Sequence, residues 1–132
     1  MIKGIGHIGI VVKDLEEILA AVSKSLGVPM PPIKDVSERG MRVAIVDIAG
    51  IGLEFLQDTT KDGAFAKLVE KRGNSLHHFA LLTDDIENDV ELLKRRGVEM
   101  ADQKPKIGVR GKKIAFTRES ALNGIPFELT ER

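Results

Sequence analysis

The chain has 132 residues, with 20 Lys and Arg balanced by 20 Asp and Glu, 42% hydrophobic residues and no cysteine, tryptophan or tyrosine. That length carries one ordinary domain with a real core, and the composition belongs to a globular chain rather than a disordered one. Balanced charge argues against general binding to nucleic acid or membrane surfaces, the missing cysteines exclude a disulfide or thiolate site, and scarce aromatics make base stacking a poor hypothesis. The sequence shows no signal-like start and no apolar run of about 18 residues, so a cytoplasmic protein is expected.

Gly4 to Val12 reads as a buried strand, short, β-branched and bounded by glycine. Asp14 then looks like an N-cap, with Glu17 at the capping-box position. Leu15, Ile18, Leu19, Val22 and Leu26 form a helical apolar stripe that Gly27 should stop. Pro29, Pro31 and Pro32 make the next stretch extended or irregular, at an edge. Met41 to Ala49 and Gly52 to Gln57 read as two strands of a hairpin around Gly50. Residues 58–72 start polar and become helical through Ala64, Phe65, Leu68 and Val69, ending at Gly73.

The order then starts again. Leu76 to Thr83 is a strand, and Asp85 caps a helix carrying Ile86, Val90, Leu92 and Leu93 that stops at Gly97. Val98 to Asp102 reads as a short strand, Lys104 to Lys113 as a basic, glycine-containing loop, Ile114 to Arg118 as a strand, Ser120 to Gly124 as a turn, and Ile125 to Thr130 as the last strand. The expected organisation is a single domain of two modules, about 1–57 and about 74–132, joined by a helix at about 60–72.

The two modules share more than their order. His78-Phe79-Ala80-Leu81-Leu82-Thr83-Asp84-Asp85-Ile86-Glu87 lies over His7-Ile8-Gly9-Ile10-Val11-Val12-Lys13-Asp14-Leu15-Glu16. Gly27-Val28 recurs as Gly97-Val98, Val43-Ala44-Ile45 as Ile114-Ala115-Phe116, and Leu53-Glu54-Phe55 as Phe127-Glu128-Leu129. The offsets, 71 from 7 to 78, 70 from 27 to 97, 71 from 43 to 114 and 74 from 54 to 128, need only small loop insertions.

Side chains alternate across a strand, so His7 shares a face with Gly9, and His78 with Ala80. The small neighbours leave room beside each ring. Glu54 and Glu128 each stand opposite two bulky residues, an expensive place for a charge without a partner. If the two modules join in one curved sheet, His7, Glu54, His78 and Glu128 share its concave face. Two imidazoles and two carboxylates suit a divalent metal with positions left open for water or substrate. His77 alternates to the other face and is expected to be structural or to support the site indirectly.

These residues carry a resemblance to the vicinal oxygen chelate (glyoxalase/bleomycin resistance/dioxygenase) superfamily, and within it to the methylmalonyl-CoA epimerases. It rests on the opening His7 to Glu16, Glu38-x-Gly40, Leu53-Glu54-Phe55-Leu56, Lys71 to His78, the loop Pro105-Lys106-Ile107-Gly108-Val109-Arg110-Gly111, and Phe127-Glu128-Leu129. The resemblance implies an α+β fold in which two tandem βαβββ modules form a cupped eight-stranded mixed sheet with helices on the convex face. It implies one divalent ion (cobalt, nickel, manganese, zinc or magnesium) on His7, Glu54, His78 and Glu128, and commonly a homodimer. It also implies an isomerase that shifts a proton α to a thioester through a metal-stabilised enolate, with Glu38 and Glu128 as the two catalytic bases.

On the residues alone Glu38 reads as a turn residue. For the catalytic role it is expected in a partly apolar pocket that makes it more basic. The basic loop offers Lys106, Gly108, Arg110 and Gly111 for a CoA substrate, through charge and backbone amides; a merely solvated loop is the alternative. Three rival functions fit the same fold: a glyoxalase I-like lactoylglutathione lyase, a non-heme iron dioxygenase, against which Glu54 as a fourth ligand and the short chain count, and a non-catalytic small-ligand-binding protein. Glu38-x-Gly40 and the loop 106–111 favour the epimerase over the lyase. The intact His7, Glu54, His78 and Glu128 set counts against the binder.

Overall fold

The computed structural model describes residues 2–132. The strands and helices run β1 (Ile2–Val11), α1 (Leu15–Leu26), β2 (Lys34–Val36), β3 (Met41–Ile48), β4 (Ile51–Asp58), α2 (Ala64–Arg72), β5 (Ser75–Thr83), α3 (Ile86–Arg95), β6 (Lys106–Ile107), β7 (Lys113–Phe116) and β8 (Phe127–Glu131). The fold is α+β, and each module is βαβββ as the repeat implies. The eight strands form one mixed sheet in the order β2-β3-β4-β1-β5-β8-β7-β6. Within it the first module reads 2-3-4-1, and the second repeats that order as 6-7-8-5. β5 and β8 run parallel, whereas β2/β3, β3/β4, β6/β7 and β7/β8 are antiparallel. The two outermost strands, β2 and β6, are short and lysine-bearing, a common way of blunting a sheet edge.

The chain divides into two compact units. One comprises Gly9–Leu76, and the other joins the chain up to Ile8 with His77–Arg132. In the first, Asp14 accepts from the Glu17 N–H at 3.0 Å and so starts α1, and Gly27 ends it in the left-handed conformation at φ 67. The helix stripe lands on the strands: Leu15 and Leu19 are fully buried with Val12, Ala44, Val46 and Phe55. Ala49 and Gly50 make the two-residue hairpin turn with φ 51 and 90, the positive pair that a type I′ turn needs, and Ile48 pairs with Ile51 across it. Asp58 closes the unit by accepting from the Ala66 N–H at 2.9 Å, so β4 supplies the cap of α2.

The second unit repeats the arrangement. Asp85 accepts from the Asn88 N–H at 3.2 Å at the start of α3. Ile86 and Val90 pack with Met100, Ala115, Phe127 and Leu129, and the Phe79 and Phe127 rings stack at 6.0 Å. The residues that flank each glutamate, Leu53 and Phe55 or Phe127 and Leu129, therefore face the core beneath a helix, as the alternation requires.

One expected strand is absent. Residues 98–102 contribute only an isolated bridge between Met100 and Thr117. The Asp102 side chain takes the Phe116 N–H at 2.8 Å, while the Ala101 and Asp102 N–H groups both turn to the Phe116 carbonyl. A side chain thus replaces a ladder bond and bends the backbone out of the sheet. The missing strand of the module is supplied later, by β6. The turn expected at 120–124 is a 3-10 turn at Glu119–Leu122.

Candidate metal centre

β1, β5 and β8 bring His7, His78 and Glu128 to one point. All three are buried, at 4, 4 and 3% exposure. The His7 and His78 Nε2 atoms lie 3.3 Å apart. The Glu128 Oε2 is 3.5 Å from His7 Nε2 and 3.4 Å from His78 Nε2. Ala80, fully buried and paired in register with Glu128, leaves the space that a larger residue would fill.

The three separations, one N···N and two N···O, are at the long end of hydrogen bonding, whose N–H···O distances cluster between about 2.7 and 3.2 Å. They also suit atoms that share an ion. The three ligand atoms lie close enough together for one divalent cation to be held by all of them. Two imidazoles and one carboxylate are also a donor set that suits a divalent cation. Burial pushes the Glu128 carboxyl up, but hydrogen bonds from the His7 and His78 rings and their charge outweigh it, and its pKa falls below the ordinary value. The group is therefore held as a carboxylate, the form a metal requires.

The partners of the two rings differ. The His78 Nδ1 meets the His77 Nδ1 at 2.8 Å, with the rings edge to face at 5.1 Å between centroids. His77 was expected on the opposite face in a structural or supporting role, and its ring contacts that of His78. Neutral histidine can give or take this bond, so His77 accommodates a His78 that keeps Nδ1–H and turns its Nε2 lone pair inward. The His7 Nδ1 faces the Arg110 guanidinium at 3.0 Å. Phe116, paired across from Glu128, packs edge to face against His78 at 4.9 Å. The sequence reading passed over Phe116, although the signal was present: Ile45 stands across from Glu54 in the same way.

Glu54 is buried at 5% exposure on β4, within the unit Gly9–Leu76. Glu38 lies on the 3-10 turn Ser37–Arg39 and is exposed, not lodged in the partly apolar pocket that its catalytic reading anticipated. Gly40 ends that turn with φ 62, and its carbonyl accepts from the Thr59 N–H at 2.8 Å.

The basic loop is more committed than its composition suggested. Lys106 pairs with Asp102 at 3.0 Å, Lys112 reaches the Arg132 carbonyl at 3.1 Å, and Lys113 pairs with Glu87. A Cβ on Gly108 would lie 2.9 Å from Ile114, so that glycine serves close packing, and Gly111 occupies φ 80. Together these two glycines close a tight loop, through Gly108 N–H to the Lys112 carbonyl at 2.8 Å, and that loop carries Arg110 to His7.

Among the described residues no helix is long and apolar enough to cross a membrane. A protein of Bacillus subtilis (strain 168), YqjC, itself uncharacterized, is 31% identical over 125 residues, covering 95% of this chain and 89% of that one. The mitochondrial methylmalonyl-CoA epimerase of Homo sapiens is 27% identical over 128 residues, 96% of this chain and 73% of that one. A substituted Streptomyces coelicolor methylmalonyl-CoA epimerase in complex with 2-nitronate-propionyl-CoA superposes with a TM-score of 0.89 at 27% identity, covering 99% of this chain and 95% of that one. Residues 6–116 match the family model of the Glyoxalase/Bleomycin resistance protein/Dioxygenase superfamily, and the chain belongs to that superfamily.

Proposed function

We propose that the protein is a metal-dependent epimerase of methylmalonyl-CoA or a related acyl-CoA, working in the cytoplasm as a homodimer. The observation that carries this reading is the buried His7, His78 and Glu128 triangle, in a chain similar to methylmalonyl-CoA epimerases along nearly its whole length. Glu54 is proposed as a fourth ligand.

Epimerisation α to a thioester carbonyl needs a weakly acidic proton removed from one face of a carbon and returned to the other. A divalent ion held by these ligands would supply positive charge near the substrate's carbonyl oxygen. His7, His78 and Glu128 would fix that charge at a buried point, where it is little screened. Glu38 is proposed to take the proton from one face. Glu128 is proposed for the other face, where its depressed pKa makes it a weaker base. Its firmer role is ligation. Gly108, Gly111, Lys106 and Arg110 are proposed to border the substrate, with the glycines shaping the loop.

Parallel assays test the reading. Metal-loaded protein should racemise a single epimer of methylmalonyl-CoA and leave the glutathione hemithioacetal of methylglyoxal unchanged. Conversion of the hemithioacetal alone would replace the epimerase reading with the lyase.

A further inference from the structure

The three residues of the triangle are buried, so a substrate drawn to them meets whatever stands half-exposed beside them. Phe116 is such a residue. β7 pairs with β8 in antiparallel register with Phe116 opposite Glu128, which puts both side chains on one face of the sheet. The ring packs edge to face on His78, at 4.9 Å between centroids and 79° between planes. Its strand neighbours Ala115 and Thr117 are buried, whereas Phe116 keeps part of its surface open.

The backbone beneath the ring is held in place. The Phe116 N–H donates to the Asp102 carboxylate at 2.8 Å, and the Phe116 carbonyl accepts from the N–H groups of Ala101 and Asp102 at 2.9 and 3.1 Å. A wall fixed in this way discriminates by size. Its chemistry discriminates as well. Besides the thioester, the α-carbon of a substituted malonyl thioester carries a proton, an alkyl group and a carboxylate. A carboxylate pressed on an apolar ring loses hydration without gaining a partner, whereas an alkyl group is stabilised by the same contact.

We propose that Phe116 is a specificity-determining residue: it is the wall against which the alkyl group on the substrate's α-carbon rests, and it limits the size of that group. The proposal rests on the epimerase reading above.

The test uses the whole chain, as zinc-loaded wild type, Phe116→Leu and Phe116→Ala. Each is given racemic methylmalonyl-CoA and ethylmalonyl-CoA together in heavy water, and mass spectrometry follows deuterium entering each ester. Wild type should exchange methylmalonyl-CoA faster. Phe116→Ala should move the ratio towards ethylmalonyl-CoA by about tenfold or more, the scale at which an apolar pocket senses one methylene. Phe116→Leu should fall between, and it keeps an apolar side chain in place should the alanine variant fold poorly. Calorimetric titration with the same racemates, whose composition epimerisation leaves unchanged, should show the ratio of dissociation constants moving in the same direction. Zinc affinity, by competition with a chromophoric chelator, should stay close to wild type, since the ring supplies no ligand atom.

Faster exchange of ethylmalonyl-CoA by wild type, or an ester ratio unchanged in both variants, would overturn the proposal and leave the epimerase reading standing. An unchanged ratio with weakened zinc binding would also overturn it, by making the ring a support for His78 alone. Exchange of neither ester by wild type would overturn both.

Discussion

A strand sends neighbouring side chains to opposite faces, and that rule, with the internal repeat, separates His78 from His77 in the string. It does not foresee that the two rings meet at 2.8 Å, because a ring contact depends on rotamers and on local strand shape that no pattern of residue types encodes. Arg110 illustrates the same limit. The loop could be read as basic, but not which of its cations turns inward and which pair with Asp102 or Glu87. Glu38 was named by resemblance and stands exposed on its turn. At this scale two outcomes are expected. His7→Ala and His78→Ala should each lower metal affinity by more than about 100-fold, beyond the usual effect of an outer partner, while circular dichroism stays that of a folded protein. Glu38→Gln should abolish epimerisation and leave metal affinity unchanged, since a general base acts on substrate and not on the ion.

Elements were legible where one local signal decided them. Asp14 and Asp85 announce α1 and α3, and both accept the expected backbone N–H. Asp14→Ala and Asp85→Ala should each cost about 1 kcal/mol, read from urea unfolding midpoints at unchanged slope. The stretch 98–102 looked like a strand because Val98 and Met100 alternate with polar residues. The competing signal was Asp102, whose carboxylate binds the Phe116 N–H and bends the chain. The same apolar residues still reach the core, Met100 fully and Val98 at its margin, so burial without a ladder explains the pattern. Ala80 tests packing beside the centre. Ala80→Leu would force added methylenes into a fully buried site opposite Glu128 and should cost roughly 1–3 kcal/mol by the same unfolding measurement.

At the scale of the whole molecule, the repeat was the most informative feature, because two copies of strand, helix and three strands imply how many strands there are and which faces carry chemistry. The strand order bears this out, with 2-3-4-1 in one module and its counterpart in the other. The grouping of the chain up to Ile8 with His77–Arg132 was not legible, since it depends on long-range contacts of β1. That grouping has a functional side, because it unites His7 with His78 and Glu128 in one compact unit. An ion that binds the folded state through those residues stabilises it by mass action, by about 2.7 kcal/mol at one hundred times its dissociation constant. For a chain of this size that corresponds to a rise in Tm of roughly 10 °C, reversed by a chelator and missing in His7→Ala.

The central claim is that a metal held at this centre supports proton exchange α to a thioester, and solvent deuterium reads that step whatever the later fate of the substrate. Metal-loaded protein incubated with methylmalonyl-CoA in heavy water should place one deuterium on the α-carbon, and stripped protein should place none. Absence of deuterium from the substrate after incubation with the metal-loaded protein would contradict the account.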